Sequence, residues 1–146
     1  MDLVRIVHAL PDGYDRLRAE ADAEGHRHLG RLAAEWAETP GMFHALRAAF
    51  DEGRLLGIGG ITDEPQDAGE SAWRMRRLYV EKASRRAGVA RAIAETLLDE
   101  ALEHVRLVTV HAGAPGAERF WEAIGFSSVR GRPWSHELRA WRPAGV

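Results

Sequence analysis

The segment from Arg77 to Val105 joins an apolar strand end to a long amphipathic helix through a basic, glycine-bearing turn. The strand closes on Leu78-Tyr79-Val80, and the turn runs through Arg85-Arg86-Ala87-Gly88. Ala90, Ile93, Ala94, Leu97, Leu98, Ala101 and Val105 then recur at helical spacing. A helix start offers unpaired backbone N–H groups and the positive end of the dipole. Gly88 has no Cβ to keep an anion from the backbone, and Arg85, Arg86 and Arg91 add full charges. The physics of this segment predicts a phosphate-bearing ligand at a helix N-terminus.

The rest of the chain sets the frame. Its 146 residues support one domain, residues 1–146, with a sizeable core. A net charge of −2 gives no general pull toward nucleic acid or a membrane, so neither is expected as a partner. There is no cysteine, hence no disulfide, thiolate metal site or cysteine nucleophile. No apolar run is long enough to span a bilayer and no signal peptide is evident, which predicts a cytoplasmic protein.

Periodicity and turn residues predict eleven elements. A first strand covers Arg5 to Ala9, and helices follow over Tyr14 to Glu24 and His26 to Glu38. Ala45 to Phe50 and Arg54 to Thr62 read as a hairpin across Asp51-Glu52-Gly53. After a polar loop over residues 63–70, Ser71 to Val80 is a strand and residues 88–104 a helix. Arg106 to His111 is a short strand, Pro115 opens a helix and Gly125 closes it. Phe126 to Val129 and Ser135 to Trp141 form a last strand pair.

Arg85-x-x-Gly88-x-Ala90, preceded by Leu-Tyr-Val, resembles the (Q/R)-x-x-G-x-(G/A) signature of GNAT-type N-acetyltransferases. Ala117-Glu118-Arg119-Phe120-Trp121-Glu122-Ala123-Ile124-Gly125-Phe126 resembles that family's late helix and turn, and residues 54–61 and 126–142 are similar to its flanking strands. The resemblance implies an α/β fold: a mixed, mostly antiparallel twisted sheet with helices on both faces. It implies acetyl-CoA as co-substrate, its pyrophosphate on the turn formed by Arg85, Arg86, Ala87, Gly88, Val89, Ala90 and Arg91. It implies that the strand splays at Leu78, Tyr79 and Val80, freeing main chain for the pantetheine arm. A backbone N–H near Val80 would then stabilise the oxyanion. Leu78 and Val80 also read as ordinary core residues, and both readings are compatible.

The proton chemistry departs from the family. Many members carry a tyrosine after the phenylalanine of the late helix, where this chain has Trp121, and an indole N–H is no general acid near neutral pH. Many also carry a glutamate on the strand before the turn. Here stand Arg74 and Arg76 on one strand face and Arg77 on the other, with Glu70 and Glu81 at the ends, Glu81 reading as solvated. An arginine pointing inward would favour an acidic acceptor. His111 ends the neighbouring strand, where it is either a base of suitable pKa or a structural histidine. Phe120 is either core or a wall at the thiol end of the cofactor. Trp36, Phe43, His44 and Trp73 are candidates for the acceptor pocket, against core packing for Trp36 and Trp73. His26 and His28 lack a third ligand and read as surface residues, so no metal is expected.

The reading is direct acetyl transfer to a primary amine of a small molecule, amino acid or peptide. Homodimers are common for this fold, which makes a second copy a candidate partner. One alternative is a non-catalytic acyl-CoA-binding module. The other is a nucleotide-binding protein, opposed by the missing G-x-x-x-x-G-K-(S/T) and dinucleotide fingerprints.

Overall fold

The centre of the molecule is a strand with almost no polar side. Residues Arg54–Asp63 (β3) are buried from Leu55 to Thr62, the signature of a strand covered on both faces. The computed structural model, which describes residues 1–140, builds a seven-stranded sheet around it. The other strands are Asp2–Arg5 (β1), Phe43–Asp51 (β2), Ala72–Val80 (β4), Leu107–Val110 (β5), Ser127–Ser128 (β6) and His136–Arg139 (β7). Their order is β1-β2-β3-β4-β5-β7-β6. Among the described residues only β4 and β5 pair in parallel, because the crossover helix Val89–Leu102 (α3) lies between them. Tyr14–Ala23 (α1) and His28–Glu38 (α2) pack on one face through Leu17, Leu29 and Leu32 against Leu46 and Ile58. On the other face, α3 and Ala117–Ile124 (α4) bury Ile93, Leu97 and Trp121 with Ile61, Met75 and Val108. This is the α/β architecture expected: a mixed, mostly antiparallel sheet with helices on both faces.

The β2–β3 hairpin turns on Glu52 (φ 48°) and Gly53 (φ 80°), the two positive φ values that a two-residue loop with the native twist requires. Gly57, Gly59 and Gly60 keep β3 free of side chains where others press in. A Cβ on Gly57 would lie 2.9 Å from the Tyr79 carbonyl, and one on Gly60 2.9 Å from the Phe43 ring.

Several boundaries differ from expectation. The first strand is Asp2–Arg5, not Arg5 to Ala9. It is an edge strand paired only with β2, so its burial pattern is weak, and Ile6 is the last residue bonded to that neighbour. α2 begins at His28 because Gly25 (φ 83°) closes α1 and leaves His26 and Arg27 as a link. Trp141, the expected end of the last strand, lies outside the described residues, as does the end of the 126–142 segment. Among the described residues no helix is long and apolar enough to cross a membrane.

Candidate active site

Parallel pairing of β4 with β5 stops at Arg74–Thr109, yet β4 continues six residues further, to Val80. Its far edge therefore runs on with no strand against it among the described residues. The N–H of Glu81 donates to Leu56 O on β3 (2.7 Å). Strand alternation then turns the N–H and C=O of Val80 toward the open edge, where the carbonyl accepts Arg85 Nε (3.1 Å).

A bulge accentuates the split. Arg77 has φ 58°, and Arg77 and Leu78 together oppose Gly59. The extra residue corrects the expected facing of the arginines. Arg77 joins Arg74 and Arg76 on the α2 face, where it binds Glu35 through two bonds of 2.9 Å. Leu78 takes the α3 face, against Gly59 and the α3 core.

A cleft of about 1130 Å³ opens at this split. Its floor is β4 from Arg74 to Val80 and the end of β5 at Val110 and His111. Gly113, Ala114, Pro115, Ala117, Phe120 and Trp121 line one side, and His26, Arg27, His28 and Arg31 line the other. The structure thus brings together Leu78, Tyr79, Val80, Arg85, Ala90, Phe120 and His111 of the expected site residues. Arg86, Ala87, Gly88 and Arg91 sit exposed on the turn and α3 start without lining the cleft, and the Val89 side chain is in the core. Trp36, Phe43 and Trp73 are committed elsewhere. Trp36 donates its indole N–H to His8 O (2.7 Å) and packs on Phe43, while Trp73 is stacked between His44 and His104.

The turn carries alternating left-handed residues, Arg86 (φ 69°) and Gly88 (φ 81°), before α3 begins. No side chain among the described residues caps that start. Such a backbone makes a concavity of N–H groups that suits an anion. A Cβ on Gly88 would meet no protein atom within 4 Å, so the backbone there is open to approach. Two of the turn's arginines are already engaged: Arg85 by Glu24 (2.9 Å) and the Val80 carbonyl, Arg91 by Glu95. Arg86 has no carboxylate partner among the described residues.

What holds the turn is Glu81, which is not solvated as its position suggested but 2% exposed. Arg54 Nη2 (2.8 Å), Arg16 Nη1 (3.0 Å) and Ser84 Oγ (2.8 Å) all donate to it. Arg54 first, with Ser84 and Arg16, holds its carboxyl at about 2, against the cost of burial. A carboxylate depressed in the folded state lends stability that is complete above its unfolded pKa, roughly 4.3, and is lost as pH falls toward about 2. Glu81→Gln is expected to cost about 2 kcal/mol at neutral pH, less than breaking a fully buried pair because both arginines reach solvent. Thermal melts from neutral to pH ~2 check this: the variant should lose less stability than the parent across that window. Equal slopes would show that Glu81 is not the titrating tie.

Other groups in the cleft are also set by their surroundings. The Tyr79 phenol is pushed up by burial and by donating to Glu24 and to Glu20 (2.9 Å), so it stays protonated and tied to α1. Burial first, with His26 and the guanidinium groups of Arg77 and Arg31 close by, holds His28 below the ordinary imidazole value. His26 and His28 stack at 5.7 Å and line the cleft, which corrects their reading as surface residues. The Gly25 break puts His26 outside the helix, so helical facing does not separate the pair. Among the described residues no group of three or more His, Asp or Glu is placed to hold a metal ion. Ser135 Oγ lies 2.8 Å from His136 Nδ1 and accepts the Ala112 N–H (2.8 Å), while the Ser135 N–H donates to Val110 O (3.2 Å). This pair does not line the cleft; it pins the residues on either side of His111.

Similar folds recur among solved structures. A predicted acetyltransferase of Exiguobacterium sp. 255-15 superposes with a TM-score of 0.80 at 24% identity, covering 95% of this chain and 94% of that one. The GNAT family N-acetyltransferase YhbS of Escherichia coli, in complex with CoA, gives 0.67 at 18% identity, covering 94% of this chain and 79% of that one. An aminoglycoside 6′-N-acetyltransferase complexed with coenzyme A gives 0.67 at 15% identity, covering 98% and 99%. No curated protein matches the chain. The acetyltransferase (GNAT) family model matches residues 10–126, from the approach to α1 through the turn that closes α4. With its sheet split beside an uncapped helix start and this match across most of its length, the chain belongs to the GNAT acetyltransferase family.

Proposed function

We propose that the protein moves an acetyl group from acetyl-CoA directly to a primary amine of a small molecule, amino acid or peptide. The observation that carries this reading is the split of β4 from β5 after Arg74–Thr109, with the cleft running past the open start of α3. The pyrophosphate fits the N–H groups of the turn from Arg85 to Arg91, with Gly88 and Ala90 keeping the approach clear. The pantetheine arm fits the unpaired edge at Leu78, Tyr79 and Val80, with Phe120 walling the thiol end. The N–H of Val80 is the donor for the developing oxyanion. Two structural relatives hold CoA, which supports the same ligand here.

The amine must be neutral when it attacks. Among the described residues no aspartate or glutamate lines the cleft, so we assign the base to a histidine or water. His111 is exposed at the end of β5, on the cleft floor, and we assign it the base role. Trp121 lines the cleft where a tyrosine acid stands in many relatives, and Tyr79 is held by Glu20 and Glu24. The thiolate therefore leaves without a phenol, and its proton comes from the positively charged nitrogen of the tetrahedral intermediate, which loses it to become the amide, or from water. With no cysteine in the chain, no thiol of the protein can take up the acetyl group on its way from CoA to the amine.

Acetyl-CoA at ~100 times its dissociation constant should stabilise the fold by about 2.7 kcal/mol, read as a rise in melting temperature. No shift with acetyl-CoA or CoA would end this reading. The missing carboxylate and phenol also suit a non-catalytic acyl-CoA binder. Release of CoA thiol with an amine panel separates the two, since a binder shifts its melt but releases none.

A further inference from the structure

We infer that the acceptor half of the cleft is built for a small amine bearing a carboxylate, with the Arg76 guanidinium as its anchor. This rests on the acetyltransferase reading above and narrows it to a substrate class.

The cleft is unlike the rest of the molecule. The chain as a whole has 22 acidic and 20 basic residues. Among the described residues the cleft lining contains Arg27, Arg31, Arg74, Arg76, Arg77 and Arg85, three histidines, and no carboxylate. Three of these arginines are answered from behind. Glu64 takes Arg74 (2.6 Å), Glu35 takes Arg77 (2.9 Å) and Glu24 takes Arg85 (2.9 Å). Arg27, Arg31 and Arg76 have no carboxylate partner among the described residues, so the cleft keeps a positive surplus. A polycationic amine meets repulsion there, and an anionic group is drawn in.

Arg76 is the best placed of the three. It stands on β4 rather than on a helix surface, and it is half-buried between two other arginines. The bulge at Arg77 is what puts all three on one face. Its Nε donates to Thr62 Oγ1 (3.1 Å), and its terminal nitrogens have no protein acceptor among the described residues. Burial and the charges of Arg74 and Arg77 lower its pKa, a strain that a bound anion relieves. A guanidinium oriented at one nitrogen and open at the others suits a planar carboxylate, which it binds through two parallel bonds.

Thiol release with acetyl-CoA tests this on matched pairs: L-alanine against L-alaninamide, L-glutamate against L-glutamine, with O-phosphoethanolamine and spermidine as further arms. The carboxylate member of at least one pair should be preferred about 10- to 100-fold in kcat/KM. Arg76→Gln should erase that preference through KM, with kcat less affected, and Arg76→Lys should keep part of it. Arg31→Gln, on an exposed helix position, should weaken the same pair with no risk to the core. Amides, spermidine or the phosphate amine used as well as the carboxylates would overturn the proposal, as would a preference that survives Arg76→Gln. Thermal shift by glutarate on the CoA-loaded protein reads the anion site without turnover. A shift lost in Arg76→Gln upholds the site even if no amine is acetylated, an outcome that would fail only the enzymatic reading. No glutarate shift in the parent overturns the site itself.

Discussion

Gly88→Asp is expected to leave a folded chain that no longer holds coenzyme A. Gly88 adopts φ 81°, and a Cβ there meets no protein atom within 4 Å. The new side chain therefore costs only the left-handed conformation, about 1–2 kcal/mol, and aspartate is among the residues that visit it. The same open space is where the pyrophosphate would lie. A carboxylate about 5 Å from a phosphate charge costs roughly 3 kcal/mol per pair at an effective dielectric of ~20. Affinity should fall by more than a hundredfold. Gly88→Asn has nearly the same shape and the same tolerance of positive φ without the charge, so it should lose much less. Calorimetric titration with CoA, alongside melts of the free proteins, separates these terms. An aspartate variant that melts normally and binds CoA like the parent would move the phosphate site away from this turn.

The parts of this site that were readable from sequence are those made by local chemistry. The turn and α3 follow from a strand end, a glycine and helical spacing, all within thirty residues. The β2–β3 hairpin follows from Glu52-Gly53 between two apolar runs. What was not readable depends on partners far along the chain. The Arg77 bulge sets two residues of β4 against Gly59 of β3, and no pattern in residues 72–80 announces the residue of slip that turns Arg77 to the α2 face. Glu81 looks like a polar residue in a loop. Only the fold brings Arg16 and Arg54 onto it from 65 and 27 residues away. Trp36 and Trp73 have aromatic bulk that suits a pocket, but each is engaged by a distant position: the His8 carbonyl accepts the Trp36 indole N–H, and the His104 ring stacks on Trp73. The N-terminal end of α2 entered the cleft unforeseen. The signal was present in Gly25, whose left-handed turn ends α1 and delivers His26 and His28 to the acceptor side.

His111→Gln is expected to lower kcat by about a hundredfold or more, the contribution typical of a general base, while leaving the affinity for acetyl-CoA unchanged. Position fits His111 for this role. Ser135 bonds the main chain of both Val110 and Ala112, so the residue between them is held at the mouth of the strand split. The imidazole has no hydrogen-bond partner among the described residues, which leaves both ring nitrogens for substrate and water. His28 is the competing base. It lines the same cleft, and burial with its positive neighbours keeps it neutral to lower pH than an ordinary imidazole. The sign of the pH effect separates the two. A base must be neutral to accept the proton, so kcat rises with pH through its ionisation. If His28 were the base, that rise would fall at lower pH than an ordinary imidazole gives, and His28→Gln would abolish it. With His111 as base, His28→Gln changes kcat by only a few-fold and keeps the rise, whereas His111→Gln removes it. A full profile in His111→Gln, matched by its loss in His28→Gln, would transfer the role to the helix. Retention of the profile in both variants would leave proton removal to water.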